Sequence, residues 1–296
     1  MTEIQLQHVT YVYGRGTPFE KKALDDVCLT FAPGKITGLM GHTGSGKSTI
    51  AQLLNGLLRA DAGTVLLNGE DIWKDPKQMR QIRFRVGLVF QYPEYQLFEE
   101  TVRKDIAYGP NNMGLSAPEV EARVLRSAAF CGISPDILDK SPFELSGGQK
   151  RRVAIAGIMA MEPEVLVLDE PSAGLDPRGR REILGGIRDY QKQTGKTMII
   201  ISHSMEDMAV YADRLAVLKD GKLVYHDDKE AVFSHGDELV KMGLSVPQIS
   251  RVMCGLSDAG IAVARNIFDV PTALTCLLTL LREKQGADLH VNASEK

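Results

Sequence analysis

The chain has 296 residues, 44% of them apolar and 25% charged, which suits one large domain or two with a real core and excludes a disordered or fibrous chain. A formal net charge of −3 argues against a chain-wide electrostatic grip on DNA or RNA, so no nucleic acid is expected as a partner. The cysteines Cys28, Cys131, Cys254 and Cys276 are scattered and form no C-x-x-C pair, as expected of reduced core residues rather than a disulfide frame or zinc site.

The start, MTEIQLQHVTYVYG, has neither a basic nor an apolar signal region, so export is not expected. No apolar run approaches the roughly 18–20 residues that span a bilayer. If the protein works at a membrane, something else must hold it there.

Residues 3–13 alternate as an edge strand would, and VCLTF (27–31) reads as a second strand. KITGLM (35–40) is a short apolar strand running into a glycine loop and then a helix over 47–57. GTVLLNGEDI (63–72) is strand then turn, and RVGLVFQ (85–91) is a buried strand. From Pro93 to about Ala160 only helix signals appear; strands return with EVLVLDE (164–170) and KTMIIISH (196–203), each followed by a helical stretch. The alternation predicts an α/β fold with a mostly parallel sheet covered on both faces and a helical insertion over about 93–160. RLAVLKDGKLVYH (214–226) predicts a hairpin turning on Asp220-Gly221.

Past residue 235 the pattern is helical only. Pro247 and Pro271 sit where helices begin, and Leu274, Leu277, Leu278 and Leu281 share one helix face. The last dozen residues, QGADLHVNASEK, are expected to fray.

GHTGSGKST (41–49) fits G-x-x-x-x-G-K-[ST] between a strand and a helix, the setting in which backbone N–H groups wrap phosphates. Gly41, Gly44 and Gly46 leave room for that approach, and His42, Thr43, Ser45 and Thr49 complete the loop. Lys47 would neutralise the β- and γ-phosphates of ATP, and Ser48 would ligate Mg²⁺. Asp169, closing an apolar strand, is placed to hold the Mg²⁺ shell through water, and Glu170 to orient and deprotonate the attacking water. Taken alone, an Asp-Glu pair would equally cap the next segment. His203 closes the neighbouring strand, where strand ends converge on a ligand, and is assigned to the γ-phosphate and water. Lys47, Glu170 and His203 are therefore the candidate catalytic residues.

A second anion-ready helix start, LSGGQ (145–149), lies about a hundred residues further on. One loop already surrounds one ATP, so this start is useful if it meets the γ-phosphate of an ATP on another subunit. Two such subunits, head to tail, would close over two nucleotides.

At this point the sequence resembles the ABC ATPases, whose fingerprint of phosphate loop, Gln strand end, LSGGQ, acidic strand, D-loop and switch His recurs here in order. Its members are GHTGSGKST, Gln91, LSGGQ, VLVLDE, SAGLD (172–176) and His203. The resemblance covers residues 3–235. It implies a mixed sheet core with an antiparallel β subdomain at its edge, a helical subdomain over about 93–160 and an ATP-binding domain over 1–235, followed by a helical extension over 236–296. It implies that Ser146, Gly147, Gly148 and Gln149 bind the partner's ATP, that Asp176 communicates between the two sites, that Gln91 joins the Mg²⁺ ligands, and that Tyr13 stacks on adenine. An isolated Tyr there would equally serve strand packing.

In detail, QYPEYQLF, TVRKDIAYGPNNMGLS and GTPFEKKALDDV resemble the energy-coupling factor (ECF) transporter ATPases, the TPFE stretch being similar to the second, A-prime type. That likeness implies a peripheral ATPase on the cytoplasmic face of the cell membrane, powering uptake of a vitamin or other micronutrient. Its partners would be a sister ATPase in a heterodimer, a transmembrane coupling protein and substrate-capturing membrane subunits, with the extension serving as dimer contact. The alternatives are a homodimeric cobalt or nickel importer ATPase, and an ABC ATPase acting in DNA repair or translation. Long coiled-coil or zinc insertions and a second cassette, expected of the latter, are missing from the sequence.

Overall fold

The structure is a computed structural model; it describes residues 2–293, with side chains described as far as residue 282. It divides into two units, one of residues 1–203 and 211–226, the other of residues 204–210 and 227–296.

In the first unit, β1 (Ile4–Tyr13) and β2 (Lys21–Phe31) form an antiparallel pair, followed by β3 (Ile36–Gly41) and α1 (Lys47–Leu54). Next come β4 (Ala62–Leu67), β5 (Glu70–Asp71), α2 (Met79–Arg85) and β6 (Val86–Val89). Helices alone fill residues 93–160: α3 (Val102–Asn112), α4 (Ala117–Phe130) and α5 (Gly147–Ala160) with short 3-10 turns between them. The chain then continues through β7 (Val165–Asp169), α6 (Pro177–Thr194) and β8 (Thr197–Ile201), passes through α7 (Met205–Tyr211), whose residues up to 210 belong to the second unit, and returns in β9 (Arg214–Lys219) and β10 (Lys222–Asp228).

Two sheets result, β2-β1-β4-β5 and β10-β9-β3-β8-β7-β6. In the first, β1 pairs antiparallel with both β2 and β4, so it is not the edge strand that its alternation suggested. Ile4 and Leu6 are buried while Gln5 and Gln7 are not, because alternation reports a sheet with one covered face and not the strand's place in it; past Gln7 a register shift at His8, φ 51°, brings Val9 to the buried side. In the second sheet β3 pairs parallel with β8 and β9, and β7 with β6 and β8. These central strands are buried at every position of β3, β6, β7 and β8, as continuous apolar runs covered on both faces must be. Parallel pairing points all their C-terminal ends the same way. The phosphate loop, Asp169 and the residues after Ile201 therefore emerge along one edge.

The β9–β10 turn has the backbone that its sequence predicts. Asp220 and Gly221 both take positive φ, 49° and 77°, as a two-residue I′ turn requires.

The second unit holds α8 (Lys229–Ser234), α9 (Gly236–Lys241), α10 (Gln248–Asp258) and α11 (Val270–Ala293); Met253 of α10, Ile267 between the helices and Ala273 of α11 form a small core, with Leu277 and Cys276 against it. The single leucine face expected from sequence is divided: Leu277 turns to this core, while Leu274, Leu278 and Leu281 are exposed. The expected fraying of 285–296 falls on residues whose side chains lie outside the described ones. Among the described residues no helix is long and apolar enough to cross a membrane.

Candidate functional site

The phosphate loop is built by close approach. A Cβ on Gly46, at φ 106°, would come within 2.6 Å of the Ala23 carbonyl oxygen, so only glycine lets the loop lie against β2. Gly41 is equally confined, with the Leu218 carbonyl oxygen 2.4 Å from where its Cβ would stand. The far side of the loop is tied to the β9–β10 turn: the Gly221 N–H donates to the Ser45 carbonyl at 3.2 Å. His42 faces the same turn, Nδ1 donating to the Thr43 carbonyl at 2.9 Å and Nε2 lying 3.2 Å from an Asp220 carboxylate oxygen.

Lys47 is buried, and its ammonium donates to the carbonyls of Gly41 at 2.7 Å and His42 at 3.0 Å. Burial pulls its pKa down, while the charges of Glu170 and Asp169 act in the opposite direction. A buried ammonium with two carbonyls on one side and two carboxylates acting on it suits a polyphosphate, which brings its own negative charge. Ser48 follows and donates to the Asp169 carboxylate, so the hydroxyl and the acid assigned to Mg²⁺ meet. Thr49 lies 3.2 Å from the hydroxyl of Tyr13. Tyr13 packs edge-on to Tyr11 and is 39% exposed as a residue.

Asp169 and Glu170 are each only 8% exposed. Burial raises the Asp169 pKa, opposed by the Ser48 hydrogen bond and by Lys47. Glu170 is raised to about 7, chiefly by burial and then by the neighbouring Asp169 charge. Its backbone is left-handed, φ 52°, an unusual state for a non-glycine that turns the chain sharply at the end of β7. The Glu170 N–H stays tied to the Ile201 carbonyl at 3.0 Å. Glu170 Oε1 is buried without a hydrogen-bond partner, although His203 Nε2 stands 3.2 Å away. A buried carboxylate oxygen with an unmet acceptor is what a positioned water would satisfy. Burial and then the Lys47 charge lower the His203 pKa, which keeps its ring neutral near pH 7.

The oxygen donors fit Mg²⁺, which is held by one or two carboxylates together with substrate phosphates. Among the described residues no group of three or more His, Cys, Asp or Glu could hold a metal ion by itself. Gln91 lies just beyond β6 and is exposed, with no hydrogen bond to Ser48 or Asp169 among the described contacts.

The signature residues stand apart from this cluster. Ser146 caps α5 in a capping box: its hydroxyl accepts from the Gln149 N–H, and the Gln149 side chain accepts from the Ser146 N–H at 3.0 Å. Asp176 caps α6 through the Gly179 N–H at 2.7 Å. Ser146, Gly148, Gln149 and Asp176 line one open cavity of about 600 Å³, and no phosphate-loop residue lines it. A Cβ on Gly147 would meet nothing within 4 Å, so nothing in this chain demands glycine there.

The family model described as ABC transporter matches residues 24–173. The chain is 51% identical, over 95% of its own length and 98% of the relative's, to the energy-coupling factor transporter ATP-binding protein EcfA2 of Clostridium tetani. The chain belongs to the energy-coupling factor transporter ATP-binding proteins. Among solved structures, this ECF ATPase is similar to cbiO1 of Clostridium perfringens, described as part of the ABC transporter complex cbiONQ. That likeness is 36% identity at a TM-score of 0.72, covering 84% of this chain and 98% of that one. It is also similar to a dimeric ATP-binding cassette in a post-hydrolysis state bound to ADP and Pi. There the identity is 27% and the TM-score 0.69, over 76% of this chain and 98% of that one.

Sequence reasoning missed two features of this ECF ATPase site. Arg151, on the signature helix and only 3% exposed at its side chain, forms a two-armed ion pair with Glu94 at 2.7 and 3.0 Å and lies over the Tyr92 ring. This joins α5 to the loop after Gln91, and two opposite charges 57 positions apart leave no signal in a sequence. The His42–Asp220 approach is the second. The turn at Asp220 was legible, but not where its tip would land.

Proposed function

We propose that this ECF ATPase hydrolyses ATP at an interface between two ATPase subunits and passes the resulting closure to a membrane partner. What carries the reading is the separation of two half-sites. Lys47, Asp169, Glu170 and His203 gather around the phosphate loop, while Ser146 to Gln149 and Asp176 line a cavity without phosphate-loop residues. Each half-site lacks what the other offers. Two chains head to tail would complete both, as a dimeric cassette bound to ADP and Pi suggests by likeness.

In the proposed chemistry, the loop N–H groups and Lys47 hold the β- and γ-phosphates, and Ser48, Asp169 (through water) and Gln91 hold Mg²⁺. The ion supplies charge neutralisation on the phosphate oxygens. Glu170 accepts a proton from water as its oxygen attacks the γ-phosphorus, and the bond to the β-bridging oxygen breaks, leaving ADP and inorganic phosphate. His203 holds the γ-phosphate and the water in line, and Tyr13 stacks on adenine. The partner's Ser-Gly-Gly-Gln start contributes backbone N–H groups to the same phosphate.

The similarity favours the ECF reading, with 51% identity to an EcfA2 against 36% to cbiO1. On that reading the chain sits at the cytoplasmic face of the membrane beside a sister ATPase, in a heterodimer. A transmembrane coupling protein and membrane subunits that capture a vitamin or other micronutrient complete the assembly. Residues 1–235 form the ATP-binding domain, and residues 236–296 contribute dimer contact.

Two experiments test this. Replacing a general base costs about 10²–10⁴-fold in rate. Glu170→Gln should therefore still bind ATP and hold the closed dimer while steady-state turnover falls by about that factor; brisk turnover would remove Glu170 from the role. Affinity purification of the tagged chain from gently solubilised membranes should bring down a polytopic membrane protein and a second LSGGQ-bearing ATPase. Recovery of only itself with a membrane protein would favour the homodimeric importer.

A further inference from the structure

The TPFE stretch has no part in the chemistry so far. Its residues knit a closed turn ahead of β2: the Thr17 hydroxyl donates to the Gly14 carbonyl at 2.6 Å, and the Gly16 N–H donates to the Glu20 carboxylate at 2.8 Å. This turn consumes the acid that would otherwise neutralise the lysines following it. The other charges of the segment are also matched, Arg15 to Asp61 at 3.3 Å and Lys22 to Asp25 at 3.0 Å. Among the described residues, Lys21 alone in this stretch has an ammonium with neither an acid nor a hydrogen-bond acceptor beside it.

Its position is not arbitrary. Lys21 opens β2 directly opposite Tyr13 in the antiparallel register, so the two side chains share a face of the sheet. Its ammonium reaches the phosphate loop, 3.6 Å from where a Cβ on Gly44 would stand. Tyr13 in turn lies 3.2 Å from Thr49 at the loop's other end. An aromatic ring and an unpaired cation, paired across β1 and β2, thus approach the same loop, one at Thr49 and the other at Gly44.

We propose that Lys21 is a further nucleotide-binding residue, its ammonium closing over the polyphosphate held by residues 41–49. This rests on the reading of the loop as an ATP site. The loop's backbone holds the inner phosphates and Lys47 the outer ones, so a cation over Gly44 faces the part that ATP and ADP share. The ligand class is a nucleoside di- or triphosphate, and the contact is a charge-assisted hydrogen bond.

The test is equilibrium nucleotide binding by the full chain, with Lys22→Ala as the control of equal charge change one residue away. Lys21→Ala should weaken ATP and ADP alike by about tenfold, and Lys21→Arg should restore most of the affinity. Lys22→Ala should bind as the unaltered chain does. The nucleotide-free melting temperature of Lys21→Ala should not move, since the ammonium has no protein partner to lose. Unchanged affinity in Lys21→Ala would overturn the proposal while leaving the ATP site standing, as would an equal loss in Lys22→Ala, which would mean a general field and no contact. Failure of the unaltered chain to bind either nucleotide would overturn both.

Discussion

Glu170 combines three conditions that rarely coincide: it is nearly buried, its backbone is left-handed, and its pKa is raised to about 7. Deprotonated, it is a base matched to neutral pH; protonated, it cannot take a proton from water. For ATP, kcat/KM should therefore rise with pH through about 7 and level above it, a limb that Glu170→Gln removes along with the activity. A profile flat from pH 5.5 to 8.5 would mean that another group limits the reaction. Stability follows the same proton. A carboxyl whose folded pKa lies above the ordinary 4.5 supports the fold below that pH and loses that support as pH rises through about 7. The nucleotide-free Glu170→Gln variant should accordingly melt higher than the unaltered chain at pH 8 and converge with it near pH 4.5. Sequence alone gave Glu170 its place after an apolar strand, because order along the chain is what a motif records. It could not give the turn of the backbone or the orphaned oxygen, which depend on Ile201 at the end of β8 and His203 just beyond it.

Among the elements, α5 does two things at once. Its first turn presents Ser146 and Gln149 locked in a capping box, and one turn later Arg151 anchors it to Glu94 beyond Gln91. Removing one partner of a buried ion pair leaves a charge stranded in a poor solvent. Arg151→Met should therefore cost about 3 kcal/mol in denaturant unfolding, and the double change with Glu94→Leu should recover much of that loss. If the double variant is as unstable as the sum of the single ones, the two residues are not coupled. Helices in this segment were legible from their period, as were the parallel strands from their continuous apolar runs. The placement of β1 between β2 and β4 was not, since alternation tells which face is covered and nothing about neighbours.

On the scale of the whole molecule, the leucines of α11 matter most. Leu274, Leu278 and Leu281 are exposed at 55%, 43% and 55%, while Leu277 faces the small core of its own unit. Solvent-facing leucines on one helix suit a surface that another subunit covers. Leu274→Glu together with Leu278→Glu should lower recovery of the second ATPase in purification while leaving nucleotide affinity of the separate chain unchanged; undiminished recovery would assign dimer contact elsewhere. The sequence showed this helix as one apolar stripe, because spacing alone does not say which leucines a neighbouring helix already occupies.

The ammonium of Lys47, folded back on two carbonyls of its own loop, has a consequence for where the ordering cost falls. Packing at Gly41 and Gly46 fixes the loop's path from within the chain, so a nucleotide would need only draw one ammonium away from two neutral oxygens. Little disorder is lost at that step. On the proposed reading of two subunits closing over nucleotide, the larger ordering cost would fall on that closure and not on loading.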